Sequence, residues 1–143
     1  MKYLLSRSKK FLLFFERIFG KNHRRNAYIL SGLGNTYIGL GNYEQALDCH
    51  KQAISHAEDI FGIDHAASAI ANSDLGRSYE KSGDYSQACA CLCRSLAICE
   101  RVYGKSHACV AKISNRLGNA HMHLGNYAKA FGLYERAIVM HFF

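Results

Sequence analysis

Six cysteines and eight histidines carry the metal-binding and reactive side chains of this chain, and two clusters stand out. Cys89-Ala90-Cys91-Leu92-Cys93 and His121-Met122-His123 have ligand types suited to a soft or borderline metal ion. On a helix, residues two apart point about 200° from each other. Cys91 therefore cannot share an ion with either neighbour, whereas Cys89 and Cys93, one turn apart, could. Comparison within the chain favours packing. Cys89 stands where Leu47 and Phe131 stand, and Cys91 where Cys49 and Leu133 stand, so small apolar side chains explain both. His121 takes the place of Tyr37 and Tyr79, which suggests a position between helices. His23, His65 and His107 recur at fixed spacing and read as structural. There is no glycine-rich phosphate loop, partnered carboxylate pair or nucleophile motif. The expectation is a protein that is not an enzyme, with no catalytic residue, no metal and no cofactor.

These comparisons rest on a repeat. Leu33-Gly34, Leu75-Gly76 and Leu117-Gly118 lie 42 residues apart (75 − 33 and 117 − 75), with no insertion. Each is followed by Gly41-Asn42-Tyr43, Gly83-Asp84-Tyr85 or Gly125-Asn126-Tyr127, and then by Ala46, Ala88 or Ala130. A fixed period of this size means stacked helical units. A mid-helix glycine costs about 1 kcal/mol against alanine, so Gly34, Gly76 and Gly118 imply a neighbour packed against bare backbone. Gly41, Gly83 and Gly125 suit a left-handed helix end, and the Asn or Asp after each suits the next N-cap. Between units, Glu-x-(Ile/Val)-(Phe/Tyr)-Gly-x-x-His recurs at 16–23, 58–65 and 100–107. There Gly20, Gly62 and Gly104 suit a helix end, and Asn22, Asp64 and Ser106 are expected to cap the next helix. The pattern predicts an all-α chain of seven helices, near 2–19, 23–39, 43–61, 65–81, 85–103, 107–123 and 127–142. Residues 1–22 are the second helix of an incomplete repeat, followed by units 23–64, 65–106 and 107–143 in one continuous array.

The chain of 143 residues has no proline and is 49% hydrophobic, which excludes disorder by composition. No apolar run reaches the ~18 residues of a membrane span. Residues 1–25 hold eight basic residues against Glu16 alone, so the whole net charge of +7 sits at this end. Lys9 and Lys10 split the apolar run, and no small-residue cleavage site follows, so a signal peptide is disfavoured. Six cysteines without an export signal favour a reducing compartment, and a cytoplasmic protein is expected.

Leu33, Gly34, Tyr37, Gly41, Tyr43, Ala46 and Ala53 resemble the tetratricopeptide repeat. The longer period with its Gly-x-x-His junction resembles the variety in kinesin light chains and nephrocystin-3-like proteins. That resemblance implies a right-handed superhelix of antiparallel helix pairs with a concave groove lined by the first helix of each pair. It maps the groove onto Ser31, Asn35, Ile38, Ser73, Arg77, Lys81, Lys112, Asn115, Arg116, Asn119 and His123. Asparagines can hold a peptide backbone, and the cations favour carboxylates. The family usually has proline after the junction histidine, where Arg24, Ala66 and Ala108 stand here, so the junctions are expected to hinge more readily.

The expected function is a non-enzymatic adaptor binding an extended or helical, acidic segment of a partner protein. Nucleic acid is not expected, because the basic residues cluster at one end and the aromatics take packing positions. The alternatives are an anionic membrane surface met by the basic first helix, or a piece of a longer scaffold. Met1 stands at the register of Tyr43, and Met140-His141-Phe142-Phe143 stand where a junction should begin. Association is therefore expected through apolar residues at both ends, including Tyr3, Leu4, Leu5, Phe11, Leu12, Phe14, Phe15, Ile18 and Phe19, by end-to-end stacking of copies (self-association), a docked partner helix, or a membrane surface at the basic end.

Overall fold

A computed structural model describes residues 2–20 and 24–142, and among these there are seven helices and no strand. They are α1 (Lys2–Phe19), α2 (Arg24–Gly39), α3 (Tyr43–Phe61), α4 (Ala66–Ser82), α5 (Tyr85–Tyr103), α6 (Ala108–His123) and α7 (Tyr127–Phe142). Asn22, His23, the end residues Met1 and Phe143, and the side chains of Tyr3, Leu4, Leu5, Phe11, Phe15, Phe19, Met140, His141 and Phe142 lie outside the described residues. The helices form a solenoid in which α2 pairs with α3, α4 with α5 and α6 with α7, and each pair packs on the next.

Each pair closes through the same small contacts. Ala46, Ala88 and Ala130 are at most 1% exposed, so nothing larger separates the two helices there. The three repeat-equivalent glycines Gly34, Gly76 and Gly118 each face a side chain sixteen residues on, and a different one each time. A Cβ at Gly34 would lie 2.5 Å from His50 Nε2, at Gly76 3.2 Å from Leu92 Cγ, and at Gly118 2.9 Å from Tyr134 Cε1. Within the pairs, Asn42 and Asp84 begin α3 and α5 as expected, although only Asp84 uses its side chain, accepting from Gln87 N–H at 3.2 Å.

The junctions differ from expectation in two respects. Asp64 and Ser106 do not cap; His65 and His107 do, each Nδ1 accepting the backbone N–H two residues on (Ala67 and Cys109) at 3.0 Å. The imidazole is long enough to reach back to that N–H. Its ring also stacks on the last aromatic of the previous helix, Phe61 under His65 at 4.5 Å and Tyr103 under His107 at 4.4 Å. Ala66 and Ala108 are therefore the first helical residues, the position where proline would fit. The junction glycines also leave the left-handed helical region. Gly62 and Gly104 have φ 84° and 86° with ψ 170° and 162°, a conformation essentially reserved for glycine.

His50 is fully buried beneath Gly34. Its Nε2 lies 3.3 Å from the Ser31 carbonyl, which can only accept, so Nε2 carries the proton and Nδ1 accepts from Ser78 Oγ at 2.5 Å. Burial pushes its pKa below the ordinary 6.5, opposed by the Ser31 carbonyl and aided by Arg77. The unfolded chain thus takes up this proton at higher pH than the folded one. The stability contribution is complete above about pH 6.5 and is lost as pH falls through the lowered folded value. Thermal melts at pH 7.5 and 5.5 check this: the loss on acidification should shrink in His50→Leu, which places here the residue that the next pair uses. An equal loss in both proteins would locate the pH response elsewhere.

Apolar faces remain open at both ends of the described array. Leu13, Phe14 and Ile18 on α1 are 55–65% exposed, and Tyr127, Phe131, Ile138 and Val139 on α7 are 54–66% exposed. Phe131 and Ile138 occupy the repeat positions of Cys89 and Leu96, which pack against the cluster formed by α4, α5 and α6. Among the described residues no helix is long and apolar enough to cross a membrane, and no three His, Cys, Asp or Glu side chains converge as metal ligands.

Candidate functional site

The first helices α2, α4 and α6 turn matching positions to one side of the solenoid. Tyr28, Ile70 and Lys112 form one row; Gly32, Asp74 and Arg116 the next; Asn35, Arg77 and Asn119 a third, each row spaced by the 42-residue period. Spacings of three and four residues put Ile70, Ser73, Asp74 and Arg77 on one face of α4, and Cys109, Lys112 and Arg116 on one face of α6. Between these faces lies a cleft of about 490 Å³, floored by Ser95, Cys99 and Tyr103 of α5. Ser95 Oγ holds the floor in place by donating to the Ala69 carbonyl at 2.8 Å.

The cleft is mainly cationic with an apolar wall. Arg77 and Lys112 are exposed, and Ile70 is 54% exposed beside them. Arg116 is committed to the scaffold: it donates to Ser73 Oγ and, at 3.2 Å, to the Ser73 carbonyl, and it pairs with Glu80 at 3.5 Å. This strap ties α6 to α4. Among the described residues Asp74 is the one acidic side chain lining the cleft, and burial raises its pKa against the opposing pull of Arg116 and Arg77.

Beyond the strap a second depression of about 590 Å³ is lined by Lys81, Tyr85, Asn119, Met122 and His123. His123 stacks on Tyr85 with ring centroids 4.1 Å apart, and Asn119 accepts a hydrogen bond from the Tyr134 hydroxyl. Both are therefore partly engaged in holding the array together.

The residues expected in the groove thus separate. Ser73, Arg77, Lys112 and Arg116 meet in the cleft, and Lys81, Asn119 and His123 in the second depression. Asn35 and Asn115 are exposed on their helices, and Ser31 is half-buried with its carbonyl turned to His50. Ile38 is a correction. It is 9% exposed and packs with Leu33, Tyr37, Ala46 and Cys49, because it sits one residue past Tyr37 on the edge facing α3. Ile70 and Asp74 were not expected here. Each lies one turn or less from a candidate on the same face, so helical spacing could have found them.

The clustered cysteines and histidines scatter. Cys91 is buried, Cys89 packs on the core cluster and Cys93 faces out. His121 is half-buried against Asn126, and burial, aided by Lys129, lowers its pKa.

A family model described as Tetratricopeptide repeat matches residues 7–59, 25–96 and 67–140. No curated protein matches the chain. Among solved structures, BtubC (BKLC) from P. vanneervenii superposes with a TM-score of 0.90 at 20% identity, over 96% of this chain and 55% of that one. A putative kinesin light chain from Podosopora anserina, with nearly identical TPR-like repeats, gives 0.74 at 19% identity, over 82% of this chain and 56% of that one. The chain thus spans about half the length of both. The second TPR of Spaghetti (RPAP3), bound to the HSP90 peptide SRMEEVD, gives 0.64 at 20% identity, over 82% and 94%. Such identities speak for the fold alone. The family match extends from residue 7 to residue 140, and its period, paired helices and glycine contacts are all present in the structure: the chain belongs to the tetratricopeptide repeat family.

Proposed function

We propose that this chain is a non-enzymatic adaptor that holds an acidic, extended segment of a partner protein in the cleft between α4 and α6. The observation that carries the reading is the cleft itself, where exposed Arg77 and Lys112 flank exposed Ile70 over a well-held floor. Two cations can each take a carboxylate by charge-assisted hydrogen bonds, and Ile70 offers apolar contact between them. A family relative carrying an acidic peptide, SRMEEVD, agrees with that chemistry. A reducing compartment such as the cytoplasm suits six free thiols.

Fluorescence anisotropy with a set of labelled acidic, neutral and basic peptides tests the proposal. Acidic peptides should bind, and Arg77→Ala with Lys112→Ala should weaken them by at least about tenfold, on the scale of one or two lost charge contacts. Thermal stability should stay nearly unchanged, since both side chains are exposed. Unchanged binding with lowered stability would assign these two residues to the scaffold instead.

A further inference from the structure

In the floor and wall of the cleft, two thiols from different helices almost touch. Cys99 lies four residues before the end of α5, Cys109 is the second residue of α6, and their sulfurs lie 3.2 Å apart. We infer that Cys99 and Cys109 form a redox-responsive dithiol, which closes to a disulfide when a hydroperoxide enters the cleft.

The repeat explains why the two positions meet. Forty-two residues earlier they are Ala57 and Ala67, both buried in the preceding junction. Thiols replace methyl groups only at the α5–α6 junction, which also lacks a tie the others have. Asn26 donates to the Gly20 carbonyl at 3.0 Å and Ser68 to the Gly62 carbonyl at 2.8 Å. The equivalent residue before α6 is Val110, which cannot donate. A Cys99–Cys109 bond would tie the third junction covalently where the first two are tied by hydrogen bonds.

The two sulfurs have different roles. Cys109 is half-buried and lines the cleft, so it meets the oxidant first. Cys99 is 1% exposed, and burial with the neighbouring Cys109 holds its thiol protonated, its pKa pushed up to about 12. The Cys109 sulfur gives up its proton and attacks the terminal oxygen of the hydroperoxide, the O–O bond breaks, and the departing oxygen takes that proton to leave as an alcohol (or water, from hydrogen peroxide). Cys109 becomes a sulfenic acid. Cys99 sulfur then attacks Cys109 sulfur, and the hydroxyl departs as water with the Cys99 proton. Two thiols have given two electrons to one peroxide. Closure requires the sulfurs to move from 3.2 Å to the ~2.05 Å of a disulfide. Gly104, with its positive φ, lies in the short connection that must adjust. In a reducing compartment two molecules of a small thiol reverse the step, consistent with the sensing role such bonds take there.

The bond would set the angle between the last two helix pairs, and with it the cleft; only that effect rests on the proposed function. The test uses the full chain, reduced, then treated with a few equivalents of hydrogen peroxide and alkylated. Trypsin cuts after Arg94, Arg101, Lys105 and Lys112, placing the two cysteines alone on fragments 95–101 and 106–112. The expected product is these two fragments joined, with the other four cysteines alkylated. The melting temperature should rise by roughly 5–10 °C, as for closing a loop of about ten residues, and return on adding dithiothreitol. Cys109→Ser should abolish both changes, and the peptide map of the unaltered chain stands even if Cys99→Ser folds poorly. Dimers linked through exposed Cys93, or Cys109 overoxidised with Cys99 still free, would overturn the inference. Anisotropy with the acidic peptide then separates the two readings. Binding by the reduced form that changes on oxidation supports control of the cleft. A mapped disulfide with no peptide bound by either form supports the dithiol and overturns the groove.

Discussion

Leu92→Ala is expected to cost about 2–5 kcal/mol of stability, the range for emptying a tightly held core site. Leu92 is 0% exposed and sits among Ala69, Ile98, Val110, Ile113 and Leu117, drawn from α4, α5 and α6. It is also the side chain that fills the space left by Gly76, with Cγ 3.2 Å from where a Cβ would stand. Helices pack on both sides of it, so the cavity cannot close by a terminal helix swinging in. Urea unfolding followed by circular dichroism checks this, with the midpoint falling at an unchanged slope. A loss below about 1 kcal/mol would mean that the centre of the array collapses onto the gap as freely as an end would.

Gly34→Ala is expected to destabilise by about 1–3 kcal/mol, even though alanine is the better helix former by about 1 kcal/mol. The new Cβ would stand 2.5 Å from His50 Nε2. That ring cannot turn aside without breaking its bonds to Ser78 and the Ser31 carbonyl. Two residues earlier in α2, a Cβ added at Gly32 would meet nothing within 4 Å, and there Gly32→Ala should stabilise by roughly 0.5–1 kcal/mol. The opposite signs are the test, read from melts of the two variants side by side. Stabilisation by both would show that His50 yields easily and that the close approach at Gly34 is not a constraint.

The helices were legible because their signals are shared between repeats. Leu33, Gly34, Gly41 and Ala46 return at one spacing, and the helix ends in the structure agree with that spacing to within a residue or two. What was not legible lies where the copies differ, or where two residue types compete for one task. Asp64 and Ser106 are the better capping types. The histidine one residue later prevails because it adds a stacked ring to its hydrogen bond. The glycines announced that something packs against them but not that His50, Leu92 and Tyr134 would each fill one equivalent space. The groove was read from polar identity at fixed positions. That approach named Arg77 and Lys112 but not Asp74 and Ile70, which line the same cleft, and it included Ile38, which burial assigns to the core. Which side of a helix is open depends on how neighbouring pairs are rotated, and that rotation is a property of packing between copies.

The chain of neighbours has a consequence for how the protein is made. Extensive contacts run between helices adjacent in sequence, with α2 against α4 the main addition among the described residues. Assembly therefore needs no segment to wait for a distant one, and loop-closure cost stays low throughout. As the chain leaves the ribosome, α2 and α3 can pair and present the face that α4 will cover before α6 has been synthesised. Each newly formed pair is a template for the next, so the nascent protein grows as ordered structure from its first complete hairpin onward.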